Sequence, residues 1–484
     1  MNKELRHISI VALSMFLALF VSTSVIQVFA VDDLRADGRN ARTLYESYSA
    51  ERGPILVDGT PIAESVPVDT QYEFLRTYTQ PELYAAITGY FTLNQGTTGI
   101  EGELNDFLSG TANEQFLDQL GALVTGQSPR GAAVELTVDP VVQQAAWDAL
   151  GDQQGSVVAI EPATGRILAM VSKPAYDPNR LAAHDTQAVL AAYEELINNP
   201  DDPLVNRAIA GDLYFPGSVF KVLMAAAAID SGEFEPESEF PNPPTLELPN
   251  SSSVISNSEG GACGGGATVT IATALRLSCN IPFAQLGLAL GEGTIADYAE
   301  AFGFGSRVEI PMRATASTFP TGLDEAQLML SSFGQYDVRV TPLQIAMISA
   351  AIANGGNLMQ PTLVERVIAP ALSIVQEDEP VLLSQPISRE TASIMTQLMV
   401  EGVANGAASN ATIEGVAVAG KTGTAENGGD TPYTLWFTGF APAEDPQVAI
   451  AVVVEDGGGF GQTAFGNRVA APIAKTVLEA VLNR

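Results

Sequence analysis

The sequence predicts an α+β (mixed α/β) chain, with one sheet covered by helices, a smaller unit ahead of it and an apolar segment at the N-terminus. Three observations predict this. Short β-rich runs stand at 156–171 and return between 416 and 454, and the chain between them is patterned as helix. Hydrophobic residues make up 46% and charged residues 16% of the 484, a balance that excludes a mostly disordered chain. Residues 8–31 form an apolar stretch that, at about 1.5 Å per residue, is long enough to cross a hydrocarbon core of about 30 Å.

The elements follow in order. Residues 1–7 carry Lys3 and Arg6 and read as a cytoplasmic tail, with 8–31 a signal anchor whose positive end stays inside. The alternative is a signal peptide cleaved after Ala30, since Val28 and Ala30 are small enough for such a site. The length of the run favours the anchor, and either reading exports the body. Residues 32–150 read as a membrane-proximal unit. In it Arg52-Gly53-Pro54-Ile55-Leu56-Val57-Asp58-Gly59 is a strand then a turn, 101–123 has helical spacing at Leu104, Phe107 and Leu108, and 134–138 is a short strand. A helix then opens on Asp139, with Pro140 at its first position, and runs to Leu150. Residues 151–484 form the second unit. Strands at 156–160 and 167–171 flank a turn containing Pro162 and Gly165, which makes a hairpin. Thr341-Pro342 opens a helix that Asn354-Gly355-Gly356 closes, and Ser388 opens another that ends near Asn405-Gly406. Strands return at 416–419, 436–440 and 448–454, and a last helix covers 469–482. The Pro-rich 241–249 and Gly-rich 259–266 segments read as loops.

Composition restricts the chemistry. Lys+Arg is 23 against Asp+Glu 56, a net charge of −33, so nucleic-acid phosphates would be repelled. His7 precedes the apolar run, which leaves His184 for everything else. A two-histidine metal site is thereby excluded, a serine–histidine–acid triad would have to use His184, and no cofactor is indicated. Lysines are few as well: Lys3, Lys173, Lys221, Lys421 and Lys475. A hydrolase or transferase built from this chain would take its base from a carboxylate or from one of those lysines. Cys263 and Cys279, sixteen positions apart in an oxidising compartment, can pair; two buried thiols are the alternative.

Ser218 precedes Lys221 by three residues, after Tyr214-Phe215-Pro216-Gly217 and before an apolar helical run. At i and i+3 the hydroxyl and the amine share a helix face, and the run supplies the desolvation an amine needs to lose its proton. The helix N-terminus favours a developing oxyanion there. Alone the spacing is common, and a lysine can snorkel out of such a helix. Gly420-Lys421-Thr422-Gly423-Thr424, read with Gly415, also matches the phosphate-loop pattern. That loop needs a helix to begin at the lysine, and Gly423, Gly428, Gly429 and Pro432 oppose one. An edge strand suits the segment better, with its backbone pairing an extended substrate and Lys421 and two hydroxyls facing an anion. Ser278-Cys279-Asn280, read as extended, sets a hydroxyl and an amide side by side; taken alone it carries little.

In that order S-x-x-K, S-x-N and K-T-G resemble the signature of the penicillin-recognising serine acyltransferases. Arg52-Gly-Pro-Ile55, Gly99-Ile-Glu101, Leu136-Thr-Val-Asp139, Gly334-Gln335 with Thr341-Pro-Leu-Gln344, and Trp436-Phe-Thr-Gly-Phe-Ala-Pro442 are similar to the class B penicillin-binding proteins, and the short pedestal to their penicillin-binding protein A group. Phe215 stands where a second proline is frequent in the family, Val219 where threonine is, and Tyr336 where glycine is. The resemblance implies a transpeptidase domain with a central antiparallel sheet covered by helices, over 151–484, on a pedestal or dimerisation-type domain at 32–150. It implies a single-pass membrane protein with its catalytic domain outside the cytoplasm. The activity implied is D,D-transpeptidation of peptidoglycan stem peptides ending in D-Ala-D-Ala, with β-lactams as covalent inhibitors. A membrane polymerase of glycan strands and other wall-synthesis or division proteins are the implied partners. Ser218 would be the nucleophile and Lys221 its base, with Ser278 passing a proton, Asn280 holding Lys221 or the substrate amide, and Lys421 lending positive potential. Thr422, Gly423 and Thr424 would line the substrate carboxylate, and a Cys263–Cys279 bridge would tie the Gly-rich loop to the rim of the site. A D,D-carboxypeptidase or β-lactamase using the same residues, or a catalytically idle scaffold or penicillin sensor, are the alternatives. His184 has no role and is expected at the surface.

Overall fold

The computed structural model describes residues 3–26, 50–70, 72–92, 95–115, 130–258 and 260–484. The stretch 116–123, expected to continue a helix, and the Val28/Ala30 cleavage site lie outside the described residues. The N-terminal helix Lys3–Ser24 contains one apolar window, Arg6–Ser24, long enough to cross a membrane.

The central sheet is antiparallel and has five strands, in the order Ala419–Ala425, Thr434–Ala441, Val448–Val454, Gly155–Ile160 and Ile167–Lys173. Both inner strands from the C-terminal part are buried at every residue. That pattern belongs to a sheet covered on both faces. One face carries Pro342–Ala353, a helix apolar all round and buried along its length. The other carries Pro140–Leu150 and Gly466–Leu482. The helix at 140–150, read above as the end of the first unit, therefore packs in the core of the second. Its start is as expected, since Asp139 accepts from the Val141 and Val142 N–H groups and Pro140 follows.

Three boundaries differ from expectation. The strand containing Lys421 begins at Ala419, because Ile413 and Val416 instead bridge each other in a tight turn. The last helix begins at Gly466, where a Cβ would stand 2.4 Å from the Gly423 carbonyl oxygen, so only glycine lets helix and strand approach this closely. The Pro-rich 241–249 segment is not all loop: its Thr245–Glu247 pairs with Val254–Ser256, and Pro241 ends the strand Glu239–Pro241 that pairs with Thr268–Thr270.

The pedestal is a six-stranded sheet in the order Ile374–Glu377, Val364–Ile368, Ala133–Leu136, Ile55–Val57, Thr60–Pro67 and Phe74–Tyr78. Ile55–Val57 pairs with Ala133–Leu136 in parallel, and the other strand pairings described in this sheet are antiparallel. Two of its strands thus come from deep within the second half of the chain. Beneath the sheet Glu101, fully buried, receives Arg52 Nε at 2.5 Å and Arg76 Nε at 2.6 Å. Arg52 and Glu101, noted separately in the sequence, are partners in one buried ion cluster. Burial pushes the Glu101 carboxyl up, but Arg76 and Arg52 outweigh it and hold the group below the ordinary carboxylate range.

Candidate active site

Ser218 lies in a 3-10 turn, Gly217–Phe220, that runs directly into the buried helix Lys221–Asp230. The first turn is tighter than the α-helix expected. Gly217 has φ +52°, and its N–H donates to the Gly334 carbonyl at 2.9 Å. Gly334 has φ +79°, and a Cβ there would stand 2.1 Å from the Gly217 oxygen. Two glycines are required because two backbones meet at the foot of Ser218. Trp436 Nε1 donates to the Phe215 carbonyl at 3.0 Å and pins the approach to the turn. Tyr336, where the family favours glycine, carries the positive φ of +63° that explains the preference.

Ser278 and Asn280 do not lie on an extended segment. Helix Ile271–Leu277 ends on Ser278, left-handed at φ +62°, and helix Ile281–Leu290 follows Asn280. A corner between helices, rather than strand alternation, turns both groups into the cleft. Asn280-Ile281-Pro282 held the signal for that corner, since proline favours the first turn of a helix.

The elements converge on Lys221, which is fully buried. Its Nζ lies 2.9 Å from Ser218 Oγ, 2.9 Å from the Ser278 carbonyl oxygen and 2.7 Å from Asn280 Oδ1. The rings of Phe283 and Phe333 lie 5.7 and 6.0 Å from it. Lys421 Nζ reaches Ser278 Oγ at 2.6 Å and the Thr422 carbonyl at 2.7 Å. Burial first, and the neighbouring Lys421 charge second, push the Lys221 amine far below its ordinary value. Burial alone lowers Lys421 to about 7.

Hydrogen-bond direction then assigns the proton on Lys221. The Ser278 carbonyl and Asn280 Oδ1 can only accept, so a neutral amine spends its two N–H groups on them and turns its lone pair to Ser218 Oγ. Asn280 is oriented for this because its Nδ2 donates to the Ser256 carbonyl at 3.0 Å.

Lys421, Thr422, Gly423 and Thr424 lie on the free edge of the sheet. The two threonines are not equivalent. Thr422 Oγ1 donates to the Ala407 carbonyl at 2.9 Å, whereas Thr424 Oγ1 accepts from the Gly466 N–H at 3.2 Å and keeps its own proton to give. Of the two hydroxyls, Thr424 thus has a proton to offer a ligand as it stands, and Thr422 would have to leave Ala407 to offer its own. A Cβ on Gly423 would come within 3.0 Å of the Pro216 oxygen, so strand and serine loop touch there. Cys263 and Cys279 are bridged, with Cα atoms 6.0 Å apart. His184 is half-buried rather than at the surface and packs against Tyr72 of the pedestal, 4.6 Å between ring centres. Phe283, Phe333 and Ser256 were not singled out in the sequence, where nothing local marks them.

Comparison with known proteins agrees with this geometry. The penicillin binding protein transpeptidase domain family matches residues 155–479, and the penicillin binding protein A dimerisation domain family matches 52–134. The chain is 43% identical to the peptidoglycan D,D-transpeptidase PbpA of Mycolicibacterium smegmatis, over all of this chain and 99% of that one. Identity to PbpA of Mycobacterium tuberculosis is 41%, with the same coverage. The solved structure of penicillin-binding protein A from M. tuberculosis as a ceftriaxone acyl-enzyme superposes with a TM-score of 0.87 at 40% identity, over 90% of this chain and 100% of that one. Its penicillin G acyl-enzyme gives 0.84 with the same identity and coverage. With the fold, the serine–lysine pair and full-length likeness in agreement, the chain belongs to the penicillin-binding protein transpeptidases, in the group that carries a penicillin-binding protein A dimerisation domain.

Proposed function

We propose that the chain cross-links peptidoglycan by a serine acyl-enzyme. The observation that carries this is Lys221, buried and held by two pure acceptors so that its lone pair meets Ser218 Oγ. As Ser218 Oγ attacks the carbonyl between two D-alanines, its proton passes to Lys221. The oxyanion would be received by the N–H groups of Ser218 and Thr424. Thr424 fits because its carbonyl projects toward Gly217 at the free edge, and in a strand the N–H of the same residue points to the same side. Ser278 gives its proton to the leaving nitrogen and is resupplied by Lys421 Nζ, the donor on its Oγ, while Lys221 keeps the proton taken from Ser218 for the return step. D-alanine departs, and an amine from a second stem takes the acyl group, losing its proton through the same relay as Ser218 is restored.

In this reading β-lactams acylate Ser218; the M. tuberculosis relative forms acyl-enzymes with ceftriaxone and penicillin G. The helix Lys3–Ser24 anchors the chain in the membrane with its catalytic part outside. The pedestal docks onto a polymerase of glycan strands. Labelling with a fluorescent penicillin tests the nucleophile. Ser218→Ala should abolish labelling, and retained labelling at one site per chain would refute the assignment. With a stem-peptide donor and an amine acceptor, the wild type should give cross-linked product. Release of D-alanine without cross-links would mark a carboxypeptidase instead.

A further inference from the structure

The Asn280 amide is turned correctly because of a segment that lies outside all three motifs. Asn257 is buried, 5% exposed, 23 residues ahead of Asn280 at the exit of the hairpin Thr245–Glu247/Val254–Ser256. Its Oδ1 accepts from the Asn280 N–H at 2.9 Å and from the Ile281 N–H at 3.2 Å. These are orphan donors of the helix Ile281–Leu290, which has no cap of its own, so Asn257 caps that helix from another segment. Its Nδ2 donates to the Gly261 carbonyl at 3.0 Å, which fixes the orientation of its own amide. The neighbouring Ser256 carbonyl takes Asn280 Nδ2. Residues 256 and 257 thus hold both the backbone and the side chain of Asn280, and Asn280 Oδ1 holds Lys221.

From this arrangement we infer that Asn257 is a positioning residue for acylation: by capping at Asn280 it keeps the Asn280 oxygen on Lys221 and the Lys221 lone pair on Ser218. The inference rests on the reading of Lys221 as the base. Lys421, from the edge strand, is the charge acting on Lys221, while Phe283 and Phe333 face it from the two other sides. Releasing the Asn280 amide takes an acceptor away from the amine. The ammonium form loses more by this than the neutral form, so the proton leaves more easily while the lone pair loses its aim.

The test is the pH dependence of acylation by a chromogenic penicillin, with the rate constant normalised to labelled sites and the melting temperature followed in parallel. Wild type should show a rate that rises with pH to a plateau. In Asn257→Ala the plateau should fall at least tenfold while the rising limb moves to lower pH. Asn257→Asp keeps both accepted bonds, and should return the plateau to within about threefold and move the limb upward through its added negative charge. A purely structural role predicts fewer labelled sites with plateau and limb unchanged; that result, or an Asn257→Asp plateau as low as that of Asn257→Ala, overturns the inference. Should Asn257→Ala fail to fold, the Asn257→Asp profile decides alone, an unmoved limb or a plateau down tenfold counting against it. A wild-type rate with no rising limb would instead defeat the reading of Lys221 as base, separately from the role of Asn257.

Discussion

Removing the ammonium of Lys421 separates two effects of one buried charge. Lys421→Gln takes away the positive potential that helps keep Lys221 neutral, so the rising limb of acylation should move to higher pH, and the rate at pH 7 should fall roughly 10²-fold or more. Stopped-flow acylation across pH measures both. Lys421→Met, which removes the same charge, should stabilise the fold. Lys421 sits at about 7 in the folded chain and near 10.4 when unfolded, so between those values the unfolded chain binds more protons and stability rises with pH. Near pH 7 the buried lysine thus costs on the order of a few kcal/mol, and thermal melts of Lys421→Met at that pH should show the gain, largest at the acid end of the window. An unchanged melting point would sink that account. Much of this cleft was legible: the i, i+3 spacing of Ser218 and Lys221 sets their contact within one short segment. The difference between Thr422 and Thr424 was not, because Ala407 and Gly466, which decide it, are brought up by tertiary packing.

At the level of elements, the pedestal depends on a carboxylate between two guanidinium groups. Glu101→Gln leaves Arg52 and Arg76 buried without a counter-charge and should cost roughly 3–5 kcal/mol. Because the folded pKa of Glu101 lies below its unfolded value, its stabilisation is complete above the unfolded value of about 4.3 and is lost as pH falls through the folded one. Hydrogen exchange over 52–108 in acid should therefore open this region, and Glu101→Gln should open it already at neutral pH. The Cys263–Cys279 bridge closes a loop of sixteen residues, so reduction should lower stability by about 3 kcal/mol, read as a fall in melting temperature with reductant. Helices whose caps are local, such as those opened by Asp139, Thr341 and Ser388, could be read directly from the sequence. The corner at Ser278 was misread because a left-handed residue between two helices has the same local appearance as an extended one.

On the scale of the whole molecule, the two halves are interleaved. A sheet that draws Val364–Ile368 and Ile374–Glu377 into the pedestal has no sequence signal, because strand pairing across so long a separation leaves no local trace. A fragment of residues 50–150 would expose the flank of Ala133–Leu136 and strip Pro140–Leu150 of the sheet it packs on. It should show no cooperative melt by circular dichroism, whereas 50–484 should melt cooperatively; a cooperative transition in the short fragment would contradict the shared sheet.

Interleaving also sets a timetable for biogenesis. The strand Ala133–Leu136 waits for a neighbour that is synthesised after Ser218, the helices Ile271–Leu277 and Ile281–Leu290 and most of the helical layer. Until residue 377 has emerged, this sheet presents an unpaired edge to its surroundings, which invites wrong pairing during synthesis. A chaperone that shields strand edges would protect this chain at that stage, well before its cleft is complete.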